Sequence, residues 1–285
     1  MINLIKYFLK KKIEKNPFFS WIIFKNIHHL EFLFPHEQDY FGMKNIFSEN
    51  FKGDFLDIGG NYGQSTVSFR KLGFKKNRIF IFEPNKYLQS NLKRVKKKYK
   101  NTYIYNFGLS NKNETKTLYT PVRMGRPYLA LSSFSKSSQN NQIKLQFPKY
   151  ENEFLYSKKK CMLKIYDNLN LDIDPKFIKI DVEGYEENVI FGLKKTIKKK
   201  KPILLIEYNQ RNFKTIYKFL NKDYNIYSYL LEKKKLYKVS NNDINKLYAG
   251  KITKNIYTKT HNARCLYYIP KSFKLSNNWL IFVKD

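Results

Sequence analysis

The chain has 285 residues, of which 42% are hydrophobic and 17% aromatic. That apolar supply excludes a disordered polymer and suffices for one α/β domain with an appendage. The 55 Lys and Arg against 23 Asp and Glu give a formal charge of +32, which admits a polyanionic partner, or equally a compositional bias towards Lys, Asn, Ile, Tyr and Phe, whose codons are A/T-rich.

Residues 1–50 read as a basic helical extension, separate in character from the rest. Ile5, Phe8 and Leu9 are apolar among Lys6, Lys10, Lys11 and Lys12, a pattern that suits either an anionic membrane surface or packing with a solvated lysine face. The longest apolar run there, Phe18 to Phe24, falls well short of the ~20 residues that span a bilayer.

From residue 51 strands alternate with helices. Phe55–Ile58 is a short apolar strand running into a Gly-rich turn. Arg78–Glu83 is the second strand, stopped by Pro84. Leu88, Leu92, Val95 and Tyr99 then follow a helical period, and Thr102–Phe107 is the third strand. Residues 110–162 break the rhythm with Ser, Asn, Lys and three prolines, as a lid, functional loop or inserted hairpin does. Phe177–Asp181 is the fourth strand. The helix after it starts with Glu186 and Glu187 and buries a stripe of Val189, Leu193 and Ile197. Ile203–Glu207 is the fifth strand, followed by a helix through Phe213, Ile216, Tyr217 and Leu220. Ile226–Leu230, Lys235–Val239 and Cys265–Ile269 are later strands.

This alternation predicts a mostly parallel sheet with helices on both faces, and such sheets bind ligands outside the carboxyl ends of their strands. The residues ending those strands are therefore the candidates. Asp57-Ile58-Gly59-Gly60-Asn61-Tyr62-Gly63 is not the dinucleotide fingerprint. An acid followed by Gly-x-Asn-x-Gly suits a ligand with a charged amino-acid tail rather than a pyrophosphate. Glu83, ending the second strand, can accept hydrogen bonds from both hydroxyls of a ribose. Asp181 ends the fourth strand on the same edge and is the best-placed carboxylate to take a proton. His28, His29, His36 and His261 form no ligand or triad spacing, and neither do Cys161 and Cys265. With no signal-type cleavage site visible, the expectation is a reduced, cytoplasmic protein, with peripheral contact at the inner membrane face allowed.

Five segments in order, FLDIGGNYGQS, FIFEPN, YNFGLSN, IKIDVEGYE and KPILLIEYN, make the chain resemble the FkbM family of methyltransferases. The resemblance spans about residues 51–209, with a weaker match at 265–270. It implies a Rossmann-like class I methyltransferase fold with a mostly parallel seven-stranded sheet, and S-adenosylmethionine as donor. It implies that Asp57, Gly59, Asn61 and Gly63 contact the methionine part, Glu83 the ribose, and Asn106 and Phe107 the adenine. Asp181 and Glu183 would face the methyl group and acceptor. Asp181, Glu207 and Asn209 could offer oxygen ligands to Mg²⁺, but Glu207 and Asn209 stand two residues apart at different heights of one strand and a simple hydroxyl need not chelate, so the expectation is a direct base with no catalytic metal. Gly60 stands where the family usually has Ala, a change expected to be sterically neutral. The implied reaction is methyl transfer to a hydroxyl of a sugar, cell-surface glycan or related metabolite. RNA methylation is the rival suggested by charge, but two acids in Asp181-Val182-Glu183-Gly184 would repel phosphates, and the lysine runs are scattered. A non-catalytic membrane-associated protein with this fold is the third reading.

Overall fold

The computed structural model describes residues 37–48, 51–230, 233–248, 265–275 and 280–281. The apolar runs become strands. In chain order these are β1 (Asp54–Ile58), β2 (Ile79–Phe82), β3 (Thr102–Tyr105), β4 (Gly108–Leu109), β5 (Glu114–Arg123), β6 (Arg126–Pro127), β7 (Leu155–Lys164), β8 (Pro175–Ile180), β9 (Ile203–Glu207), β10 (Tyr224–Leu230), β11 (Lys235–Lys238), β12 (Cys265–Pro270) and β13 (Leu280–Ile281). The helices are α1 (Met43–Ile46), α2 (Gln64–Lys71), α3 (Gln89–Lys98), α4 (Lys136–Gln146), α5 (Glu186–Gly192), α6 (Lys194–Lys200), α7 (Gln210–Leu220) and α8 (Asn241–Tyr248).

The main sheet has the order β13-β11-β10-β12-β9-β8-β1-β2-β3. Its centre, β9-β8-β1-β2-β3, is parallel throughout. β12 runs antiparallel between β9 and β10. The expected seven-stranded, mostly parallel sheet is therefore corrected. The sheet is mixed, with eight strands and the two-residue β13 as a ninth. One cause is the short connection from Leu230 to Lys235, which cannot cross the sheet and so returns β11 antiparallel beside β10.

Period-two alternation sends successive side chains of each strand to opposite faces, and a core lies on each. Leu56, Ile58, Phe80, Ile178 and Leu204 pack with Val189, Ile197, Phe213, Ile216 and Leu247 of the C-terminal helices. Phe55, Ile79, Ile81, Phe177 and Leu205 pack with Tyr40, Met43, Phe47, Phe69 and Leu92. Phe55 sits among Phe69, Phe74 and Phe177 with ring centroids 5.2–6.0 Å apart. The helix expected through Val189, Leu193 and Ile197 is two helices that break at Leu193, although all three side chains are buried.

Of the N-terminal extension only residues 37–48 fall within the described residues, and the amphipathic segment around Ile5–Lys12 lies outside them. The described part is built into the domain. Asp39 accepts from the Cys265 N–H at 3.0 Å, and the Tyr267 hydroxyl donates to the Asp39 carbonyl at 2.6 Å. The irregular segment 110–162, with β4 just before it and the end of β7 just after it, builds a second sheet, β4-β7-β5-β6, with α4 beside it. β5 and β7 pair antiparallel from Glu114↔Leu163 to Val122↔Leu155.

Among the described residues, no helix is long and apolar enough to cross a membrane.

Candidate active site

The order β9-β8-β1-β2 sets four parallel carboxyl ends side by side. They carry Glu207, Asp181, the turn after Asp57, and Glu83.

The turn depends on glycine. Gly59 and Gly63 have φ of +77° and +88°, a region L side chains avoid. A Cβ at Gly59 would sit 1.9 Å from the Asp181 carbonyl oxygen, so only glycine lets the turn pass beneath Asp181. At Gly60, where the glycine was expected to be sterically neutral, a Cβ would lie 2.2 Å from Ile81 Cγ2. Asn61 is left-handed at φ 49°, and its buried Oδ1 has no hydrogen-bond partner.

Asp57 is completely buried. Its Oδ2 accepts from Ser65 Oγ at 2.5 Å and Thr66 Oγ1 at 2.8 Å, which pins the start of α2 under the turn. Lys179, also buried in the middle of the sheet, donates to the Gly59 carbonyl at 3.0 Å. Its ammonium lies 3.2 Å from Asp181 Oδ2 and 3.6 Å from Asp57 Oδ1. Burial alone would lower its pKa, but Asp181 and Asp57 outweigh it and hold the lysine above its ordinary range. One cation thus joins the turn to the acid at the next strand end. Its sequence signal was a lysine between Ile178 and Ile180 in a strand buried on both faces.

Glu83 is 6% exposed. Its Oε2 accepts from the Asn61 N–H at 2.9 Å and its Oε1 from the Asn85 N–H at 2.8 Å. Burial raises its pKa to about 7, against the lowering effect of those two N–H groups and of Lys179. Asn106 is exposed. Phe107 turns to the core, edge-on to Phe82 with centroids 5.7 Å apart, with Lys164 Nζ 4.7 Å from its ring. Neither shares a hydrogen bond or ring contact with Glu83. Beyond Asn85 lies a cavity lined by Asn85, Lys86, Tyr87, Lys159, Lys160 and Cys161.

Asp181, Glu183 and Glu207 bring carboxylate oxygens within 4.8 Å of one another, near enough to share one proton or one cation. Glu207 Oε2 is buried without a partner. Burial, then the charges of Glu183, Asp181, Glu186 and Glu37, push its pKa upward. Glu183 has φ 53°, and Glu186 holds this left-handed loop by accepting from the N–H groups of Val182 at 3.3 Å and Gly184 at 2.8 Å. Asn209 is occupied in capping α7, with Oδ1 3.1 Å from the Arg211 N–H.

The insert closes on this edge from two sides. Ser133 Oγ donates to the Glu183 carbonyl at 2.7 Å, and Phe134 packs on Tyr185. Ser132 meets Asn85 at 3.4 Å and Thr120 at 2.8 Å. Arg123 is committed elsewhere, to Glu153 at 2.7 Å and over the Tyr150 ring at 3.9 Å. The four histidines lie outside the described residues.

Among solved structures, the chain is similar to a methyltransferase FkbM from Methylobacillus flagellatus KT, at 16% identity over 77% of this chain and 44% of that one, with a TM-score of 0.47. It is also similar to a precorrin-6y C5,15-methyltransferase from Geobacter metallireducens GS-15, at 14% identity over 67% of this chain and 74% of that one, with a TM-score of 0.36. The chain thus spans less than half the length of the first. No curated protein matches it. The sequence model of the methyltransferase FkbM domain matches residues 57–238, more than half of the chain. With that match, the chain belongs to the FkbM methyltransferase domain family.

Proposed function

We propose that the protein transfers a methyl group from S-adenosylmethionine to a hydroxyl of a sugar, cell-surface glycan or related metabolite. The observation that carries this is the convergence of the Gly59–Gly63 turn, Glu83 and Asp181 on adjacent strand ends of a methyltransferase domain. The residues fit the donor. Asn61 Oδ1 is an orphaned buried acceptor in the turn, suited to an α-ammonium group. Glu83 is a desolvated carboxylate with lone pairs left for two ribose hydroxyls.

The donor supplies a sulfonium methyl group and a good leaving group. The remaining work is orientation and proton removal, and orientation is worth up to ~7–11 kcal/mol in well-aligned systems. Lys179 holds the turn and the Asp181 carboxylate in one frame. Asp181 would take the proton of the acceptor hydroxyl during its attack on the donor's methyl group. Glu183 flanks the acceptor, and the insert at residues 110–162 acts as its lid. The acid-lined edge disfavours a phosphate backbone as acceptor.

The test is transfer of radiolabelled methyl groups to a panel of oligosaccharides, with RNA as the control. Asp181→Asn keeps the shape and removes the basicity. It is expected to lower turnover about 10²-fold or more with calorimetric donor affinity unchanged, and EDTA is expected to leave the wild type active. Labelled RNA with unlabelled oligosaccharides, or EDTA inactivation reversed by Mg²⁺, contradicts this reading.

A further inference from the structure

We propose that the tip of the β5–β6 hairpin, with the adjoining start of β7, seats the protein on an anionic bilayer surface. Nothing in this depends on methyl transfer. β5 reverses into β6 through Met124 and Gly125, whose φ values are 50° and 72°. Two central residues with positive φ define the hairpin turn that favours Asn, Asp and Gly. A long apolar side chain is disfavoured at the first of them. Met124 nevertheless occupies it and is 64% exposed, while a Cβ at Gly125 would meet nothing within 4 Å. Most of this methionine is left to solvent.

The strand register extends the apolar tip. Val122 pairs with Leu155 on one side and Pro127 on the other, and directly opposed residues share a face. Leu155 is 74% exposed, and Pro127 is exposed too. Further along that face of β7 comes Lys159, whose Nζ lies 5.7 Å from the ring of Tyr87, itself 53% exposed. Lys86, Lys159 and Lys160 border a cavity of about 250 Å³ there, a place for lipid phosphate. From residue 114 to 164 there are ten basic and three acidic side chains, and one of those acids, Glu153, is paired with Arg123.

An apolar tip, an exposed tyrosine and a lysine-lined flank match the order of acyl boundary, interface and headgroup phosphate in an anionic leaflet. A bilayer needs no large shape-complementary area, because each inserted apolar side chain and each nearby lysine adds its own contribution.

The experiment is co-sedimentation of the full chain with vesicles of phosphatidylcholine alone, or mixed with phosphatidylglycerol. Met124→Asn suits the left-handed turn and Leu155→Thr suits a strand, so the double variant is expected to melt no lower than wild type. Wild type is expected to pellet with the anionic vesicles and much less with the neutral ones. The double variant is expected to lose about tenfold or more in partitioning. Lys86→Gln with Lys159→Gln is expected to weaken only the part of binding that depends on anionic lipid. Because basic residues elsewhere also attract vesicles, the comparison with the double variant decides. Equal partitioning of wild type and double variant, equal binding to both vesicle types, or no binding at all overturns the proposal. Dimers abolished by the same variants without vesicle binding would assign the tip to a second copy of the chain instead.

Discussion

Replacing Glu83 by Gln tests whether a buried carboxylate is kept at the donor edge at the expense of stability. Below about pH 4.5 the carboxyl is neutral in both folded and unfolded chains, and burial costs it little. Between 4.5 and about 7 the unfolded chain ionises first, so the folded state loses stability as pH rises. Above about 7 both states are ionised and the loss is complete. The gap between 4.5 and about 7, at roughly 1.36 kcal/mol per pH unit, amounts to about 3 kcal/mol. Gln does not titrate. It can still accept from one of the Asn61 and Asn85 N–H groups, but its amide faces the other, a mismatch of about 1–3 kcal/mol that is the same at every pH. Urea unfolding of both proteins from pH 4 to pH 8 isolates the titrating part, because all other groups are shared. Wild-type stability relative to Glu83→Gln is expected to fall by about 3 kcal/mol across that range. A difference that stays flat would show that Glu83 ionises as an ordinary surface acid, and the account of its burial would fail. Binding of S-adenosylmethionine, measured calorimetrically in buffers of different ionisation enthalpy, is expected to release protons near pH 6 in wild type only.

Lys179→Met leaves Asp57 and Asp181 without their shared buried cation, and is expected to cost about 3–5 kcal/mol in urea unfolding; a loss below about 1 kcal/mol would mean the ion pairs contribute little. Ser133→Ala removes the hydrogen bond from the insert to the Glu183 carbonyl. It is expected to cost about 1 kcal/mol and to raise protease cleavage within residues 129–146 while donor affinity holds. Unchanged cleavage would separate this contact from lid closure.

The central strands and their ends were legible in the sequence because both signals are local. Phe55–Ile58, Phe177–Ile180 and Ile203–Ile206 are runs buried on both faces and apolar but for Asp57 and Lys179, and a parallel central sheet requires such runs. The turn around Gly59 and Gly63 was legible too, since glycine at those spacings is the chemical requirement of positive φ. Residues 110–162 hid their sheet because the burial along β5 and β7 follows no clean alternation. The later strands at Ile226–Leu230, Lys235–Val239 and Cys265–Ile269 were legible as runs, but strand propensity does not name a partner, so their antiparallel pairing was not, and the two-residue β13 exists only through pairing.

The sequence by itself determined the family motifs, the parallel strand–helix rhythm and which acids end which strands, since these are properties of neighbouring residues. Only the tertiary structure decided that Lys179 joins the Gly59 carbonyl to Asp57 and Asp181, that Ile81 leaves no room for a side chain at Gly60, and that Ser133 reaches Glu183 across 50 residues. The physical reason is that the energy of a buried charge or a close backbone approach depends on what lies opposite it in space. Residues far apart in the chain supply that environment only after the strands have paired.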